Sequence, residues 1–202
     1  MEVHSANGYL LEQFLRDSIN DRTDAYGGGK ENRARLLLEV MHAVAGEVGA
    51  DRTGVRLSPV TPANDAQPDS DPQGLFNHVV EQLAPLGLAF MHVVEGATGG
   101  PRDVAPFDYA ALRGRFKQGH AAGAWIVNNG YTRAMSLEAV TSGAADAVAF
   151  GRPFISNPDL VQRLKADAPL AGLNRATLYG GGAAGYTDYP PLAAEAAVDA
   201  AA

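Results

Sequence analysis

The sequence predicts an α/β fold built on a parallel sheet. Three observations carry that prediction. Short continuous apolar runs, bounded by turn residues, recur along the chain, as expected of strands buried on both faces. Between them the apolar residues fall at helical spacing, the mark of helices packed along one stripe. Polar and glycine-rich residues gather where apolar runs give way to helical patterns, which is where (β/α) folds place their sites.

The elements follow in order. Glu2-Val3-His4 reads as the last piece of a strand. Leu36, Val40, Val44 and Val48 then recur every four residues after a candidate cap at Asn32, predicting a helix. Thr53 to Ser58 is a second strand, ended by Pro59. Asp71-Pro72 supplies a cap with proline at the first helical position, and Leu75, Val79 and Leu83 continue that helix. Leu88 to Val94 is a third strand, followed by a helix marked by Tyr109, Leu112 and Phe116. Ala124 to Val127 and Ala147 to Phe150 are the fourth and fifth strands. Asn157-Pro158-Asp159 reads as the cap of a further helix. Alternation of this kind indicates βα units. Residues 1–190 carry the pattern, and residues 191–202 form an alanine-rich tail expected to fray.

Composition narrows the function. The chain has 202 residues, a formal net charge of -7 and no cysteine. The negative balance argues against a nucleic-acid partner or an anionic membrane surface. Without cysteine there is no thiolate nucleophile and no cysteine-held iron–sulfur cluster. No apolar run approaches transmembrane length, and the N-terminus lacks a basic-then-apolar leader pattern. The expected compartment is the cytoplasm.

Several strand ends present groups useful for chemistry. His4 and Asn7 can both donate hydrogen bonds into one small volume, enough to hold a carbonyl oxygen as it becomes an enolate. Spacing alone leaves open a structural histidine and a helix-capping asparagine. Tyr9 is a candidate general acid or a packed aromatic. Arg56 stands in an otherwise apolar strand and needs a partner: a cofactor ring gaining negative charge, or a carboxylate such as Asp65 or Glu95. Asn129-Gly130 and Gly151-Arg152 follow the last two strands, where backbone N–H groups and an arginine suit a phosphate; ordinary turns are the alternative. The segment from Tyr179 to Pro190, aromatic and glycine-rich, can fold over a ligand or remain a loose tail. Asp65, Asp69 and Asp71 lack a recognisable metal-ligand spacing.

The stretches "HSANGYLLEQFLRDSINDRTDAYGG", "ENRARLLLEV", "GVRLSP", "AVAFGRPFISNPDL" and "YGGGAAGYTDYP", in this order, resemble the old yellow enzyme family. The resemblance runs from about Glu2 to Pro190, and its tail motif resembles the classical bacterial subgroup near the N-ethylmaleimide and nitroester reductases. It implies a (β/α)8 TIM barrel that binds FMN and passes hydride from NAD(P)H to activated C=C bonds of enones or maleimides, or to nitro compounds. It implies His4 and Asn7 as the pair binding the substrate oxygen, and Tyr9 as the proton donor. Arg56 is implied at the flavin pyrimidine edge, Asn129, Gly130, Gly151 and Arg152 around the FMN phosphate, and Tyr179 on the substrate side. "NNGY" departs from the family's more glycine-rich pattern, a change that backbone donation should survive. No metal is implied.

In the family, "HSANGY" follows the fourth strand. The resemblance therefore implies a partial barrel, strands four to eight with their helices, without the first three strands. The expectation is an ene reductase completed by strands from a complementing N-terminal chain or by self-association. The alternative is a non-catalytic barrel remnant or assembly partner.

Overall fold

Five short runs form five strands: β1 (Glu2–Ser5), β2 (Gly54–Leu57), β3 (Phe90–Val94), β4 (Ala124–Asn128) and β5 (Ala147–Ala149). All neighbours pair in parallel, in the order β1-β2-β3-β4-β5, which leaves β1 and β5 at the edges. This computed structural model describes residues 1–104 and 106–192. The alanine-rich residues 193–202, for which the sequence predicts fraying, lie outside the described residues. The chain separates into two compact units, Met1–Ala149 and Phe150–Ala202. The five-stranded parallel sheet with its helices is a partial barrel of the class the sequence predicts.

In the first unit, helices fill the crossovers: α1 (Leu10–Leu15), α2 (Lys30–Val48), α3 (Pro72–Leu83), α4 (Tyr109–Gly119) and α5 (Arg133–Thr141). Alternation along each strand sends Val55 and Leu57, Met91 and Val93, Trp125 and Val127 to one face. There they form one core with Leu37 and Met41 of α2, Leu75, Phe76 and Val79 of α3, and Leu112 and Phe116 of α4. Helix α3 starts as its sequence predicts: Asp71 accepts a hydrogen bond from the Gly74 amide at 2.9 Å, with proline at the helix start.

Helix α2 differs from expectation. Its N-cap is Gly29 rather than Asn32, and its buried residues are Arg33, Ala34, Leu37 and Met41 rather than Leu36, Val40, Val44 and Val48. The cause is Arg33. Its Nη1 donates to the Leu15 carbonyl at 2.6 Å and pairs with the buried Asp69. Burying that charge on its partners turns the helix so that Ala34, Leu37 and Met41 face the sheet.

The second unit holds two short helices, α6 (Arg152–Ser156) and α7 (Leu160–Ala166). Asp159 stands at the start of α7 as predicted, but its carboxylate does not cap the helix. It accepts instead from Arg163 Nε at 2.8 Å and from the Leu192 amide at 2.7 Å. No helix among the described residues is long and apolar enough to cross a membrane.

Candidate active site

The strand register places the polar side chains in a row on the face opposite the core. His4 pairs with Arg56, Arg56 with His92, and His92 with Ile126. Glu2 lies below His4 on the same face and reaches across β2 to His92, with Oε2 2.8 Å from Nδ1. Gly54 pairs with Glu2 on the neighbouring strand. It presents no side chain, and a Cβ there would lie 2.4 Å from the Phe90 ring. The His92 hydrogen bond, opposed by burial and helped by Arg56 and His4, holds the Glu2 carboxyl below its ordinary value.

Arg56 pairs with neither Asp65 nor Glu95, the carboxylates its sequence context offered. Its Nη2 donates to Asn128 Oδ1 at 3.1 Å, across β3, and its Nε is buried with no partner among the described residues. Glu95 is taken by Arg102 and by the Tyr131 hydroxyl, 2.7 Å away. Arg102 is the nearer cation because it lies in the same loop, stacked 4.0 Å from the Tyr131 ring centroid. Asn128 in turn donates to the Ala149 carbonyl at 2.8 Å.

Burial, with a smaller contribution from the Arg56 cation, pushes the His4 imidazole below its ordinary value. His4 is therefore neutral at pH 7 and offers one N–H. The Tyr9 ring lies 5.3 Å from the His4 ring, centroid to centroid, and is 54% exposed. Asn7 sits between them in sequence, with a left-handed φ of 57°. It does not cap α1; Tyr9 holds that position. The Asn7 amide N–H donates to Ser58 Oγ at 2.7 Å, its carbonyl accepts from Asn64 Nδ2 at 2.9 Å, and its Oδ1 accepts from Thr98 Oγ1 at 2.8 Å.

What shapes this turn is a buried network that was not anticipated from the sequence. Glu12 Oε2 accepts from the Gly8 amide at 2.6 Å; Oε1 accepts from Ser58 Oγ at 2.6 Å and from Arg16 Nη2 at 2.9 Å. Arg16 also donates to the carbonyls of Ser58, Thr61 and Gln67. Both side chains of the ion pair are fully buried. Burial pushes the Glu12 carboxyl up while Arg16, Ser58 and the Gly8 amide pull it down. Those three neighbours are donors, so the geometry calls for a carboxylate at neutral pH. Gly8 is required twice over: its φ is 72°, and a Cβ would lie 2.1 Å from the Ala63 carbonyl oxygen. The available signal was Glu12 and Arg16, one helical turn apart in the apolar stretch "LLEQFLR".

Beyond β4, the Asn129 side chain is buried and bonded to the loop after β3, while Gly130 has a φ of 67° with open space around its α-carbon. In the second unit, Gly151 precedes α6, also with open space, and Arg152 begins that helix. Tyr179 has a φ of 61° and is 95% exposed. It lines an open hollow of about 510 Å³ with Ile155, Leu178 and Tyr186. The acidic loop residues have structural uses: Asp69 pairs with Arg33, and Asp71 caps α3. Among the described residues there is no cluster of metal-ligating side chains.

Residues 1–171 match the family described as NADH:flavin oxidoreductase / NADH oxidase. The chain belongs to that family, the old yellow enzymes. A putative 12-oxophytodienoate reductase 10 of Oryza sativa subsp. japonica is 45% identical over 95% of this chain and 61% of its own length. The old yellow enzyme homologue of Zymomonas mobilis superposes with a TM-score of 0.86 at 42% identity, covering 95% of this chain and 53% of that one. Morphinone reductase in complex with tetrahydroNAD gives 0.83 at 40% identity, over 95% and 50%. This old yellow enzyme chain thus spans 50% to 61% of the length of these relatives. The family uses a flavin and a nicotinamide cofactor.

Proposed function

We propose that this chain is the C-terminal part of an FMN-dependent NAD(P)H ene reductase, residues 1–190 forming strands four to eight of its barrel. The observation that supports the reading best is Arg56, held by Asn128 on the open face with a buried Nε that has no partner among the described residues. An anionic or carbonyl-rich group above it supplies what the guanidinium lacks, so the residues fit a flavin pyrimidine edge. A flavin held there supplies the two-electron relay between a nicotinamide and an activated C=C bond.

The side chains of the site then have separate tasks. Arg56 balances negative charge gained by the ring. Neutral His4 and the Asn7 amide donate to the substrate oxygen and stabilise it as charge develops there. Tyr9, exposed beside His4, delivers its Oη proton to the carbon next to the activating group. The turn at Asn129-Gly130 offers backbone donors to the FMN phosphate. The names 12-oxophytodienoate reductase and morphinone reductase both specify an oxo compound as the substrate of those relatives. This supports enones as the substrate class; maleimides and nitro compounds present the same kind of acceptor oxygen.

An open parallel sheet has unpaired edges at β1 and β5, which in a barrel are joined by further strands. Those strands come from the same longer polypeptide, a complementing chain or a second copy. The test uses protein loaded with FMN, supplemented with a polypeptide carrying the first half of a family barrel. Tyr9→Phe is expected to leave flavin reduction by NAD(P)H nearly intact and to slow reoxidation by 2-cyclohexenone by roughly 10²-fold, the scale of a lost general acid. Unchanged enone turnover would remove Tyr9 from the mechanism.

A further inference from the structure

We propose that Thr98 is a positioning residue that fixes which end of the Asn7 amide faces a substrate, and that Asn129 holds Thr98 in place. The proposal rests on the assignment of Asn7 to the oxygen-binding pair.

An asparagine side chain has a donor end and an acceptor end of nearly the same shape, and a half-turn exchanges them. Only the NH2 end can hold a carbonyl or nitro oxygen; the other end would repel it. The backbone of Asn7 is fixed by Ser58 on its N–H and Asn64 on its carbonyl. The remaining freedom lies in the side chain, and its Oδ1 is 2.8 Å from Thr98 Oγ1. Nδ2 has no hydrogen-bond partner among the described residues.

Proton bookkeeping selects this orientation. Thr61 Oγ1 donates its single proton to the Gly96 carbonyl at 2.7 Å, so it can only accept from Thr98, 3.3 Å away. Thr98 also has one proton. Its two acceptors within the protein are Asn7 Oδ1 at 2.8 Å and Thr61 Oγ1 at 3.3 Å, and because the residue is exposed, solvent is the third. Hydroxyl hydrogen bonds cluster at about 2.7–2.8 Å, so the shorter contact takes the proton. The reversed amide would need Nδ2 to donate to Thr98 and Thr98 to turn its proton to solvent or along the 3.3 Å contact, giving up the 2.8 Å bond to the amide oxygen. The NH2 end is therefore left facing outward.

Thr98 can impose this choice only if it is itself held. Asn129, buried at the end of β4 with a φ of 103°, bonds the peptide units on both sides of it. Its Nδ2 donates to the Ala97 carbonyl at 2.8 Å and the Glu95 carbonyl at 2.6 Å, and its Oδ1 accepts from the Gly99 amide at 2.9 Å. One buried side chain thus places Thr98, and Thr98 places the amide. The consequence for recognition is chemical: the site takes an acceptor oxygen and disfavours a hydroxyl or amine donor at the same point.

The test is made on the full chain without flavin or substrate. Neutron diffraction from a D2O-exchanged crystal is expected to show the Thr98 deuteron directed at Asn7 Oδ1 and both Nδ2 deuterons directed away. An Nδ2 deuteron directed at Thr98 would overturn the proposal. Side-chain amide NMR extends it: Asn7 should give one sharp NH2 pair in the parent and in Thr98→Ser. In Thr98→Val and Asn129→Ala the pair should broaden or double, while backbone signals of β2 and β3 stay in place. An unchanged Asn7 pair in both variants would also overturn it, and if either variant fails to fold, the parent crystal decides. A failure here leaves the oxygen-binding assignment standing. Failure of that assignment shows separately, as normal enone turnover by His4→Ala with Asn7→Ala.

Discussion

On one face of the sheet Val55, Met91 and Trp125 form a row, with Leu57, Val93 and Val127 above them, all buried beneath α2, α3 and α4. On the other face the same strands carry His4, Arg56, His92 and Ile126, flanked by Glu2 and Asn128. The first face excludes water and has only apolar side chains in those rows. The second retains buried polar atoms with no partner among the described residues, Arg56 Nε and His92 Nε2. Such atoms cost stability where they stand. A strand can carry them because its alternate residues secure it from the opposite side. The difference teaches that one face of this sheet supplies the folding free energy and the other carries the polar groups of the proposed site.

The largest expected effect is on the core face. Trp125→Ala should destabilise the chain by about 4 kcal/mol in urea unfolding, through lost burial and a cavity. Ile126→Ala, one residue on and facing the other way, should cost about 1 kcal/mol. Equal costs would break the division of labour between the faces. Next comes the network behind the Asn7 turn. Glu12→Ala leaves Arg16 buried without its carboxylate and should cost about 3 kcal/mol, measured in the same way. A neutral result would mean that water replaces the carboxylate.

On the polar face, Arg56→Met should change stability by no more than about 1 kcal/mol, because the removed group is incompletely satisfied, while FMN affinity falls by about tenfold. Calorimetric unfolding and flavin fluorescence separate the two. A large stability loss with unchanged flavin binding would make Arg56 structural. Asp71→Ala, which removes the cap of a core-facing helix, should cost about 1 kcal/mol.

The smallest effect is on pH dependence. The His4 imidazole is held below its ordinary value when folded, chiefly by desolvation, so the folded state binds its proton less readily than the unfolded chain. Its contribution to stability is present above that ordinary value and is lost as pH falls through it towards the lowered folded value. Urea midpoints at pH 7.5 and pH 5.5 should therefore converge slightly in His4→Gln relative to the parent. A wider gap in the variant would reverse the assigned shift.

Much of this was readable from local pattern. Apolar runs located the five strands, Asp71-Pro72 located the start of α3, and Leu112 and Phe116 identified the buried side of α4. Strand alternation and helical period are properties of neighbouring residues, so sequence alone determines them. The motif "HSANGY" likewise set the candidates His4, Asn7 and Tyr9 next to one another at the end of β1, where the His4 and Tyr9 rings lie 5.3 Å apart.

The tertiary structure decided which partners these residues meet. Arg56 lies 72 positions from Asn128, Thr98 lies 91 positions from Asn7, and the Ser58 that fixes the Asn7 turn lies 51 positions away. Helix α2 presents Leu37 and Met41 rather than Leu36 and Val40 because Arg33 finds Asp69, 36 positions on. A hydrogen bond requires placement to within a few tenths of an ångström, and only the assembled βα turns bring such distant positions that close. Composition and periodicity determine which face of a strand is buried; the packing of one turn against the next determines where each proton goes.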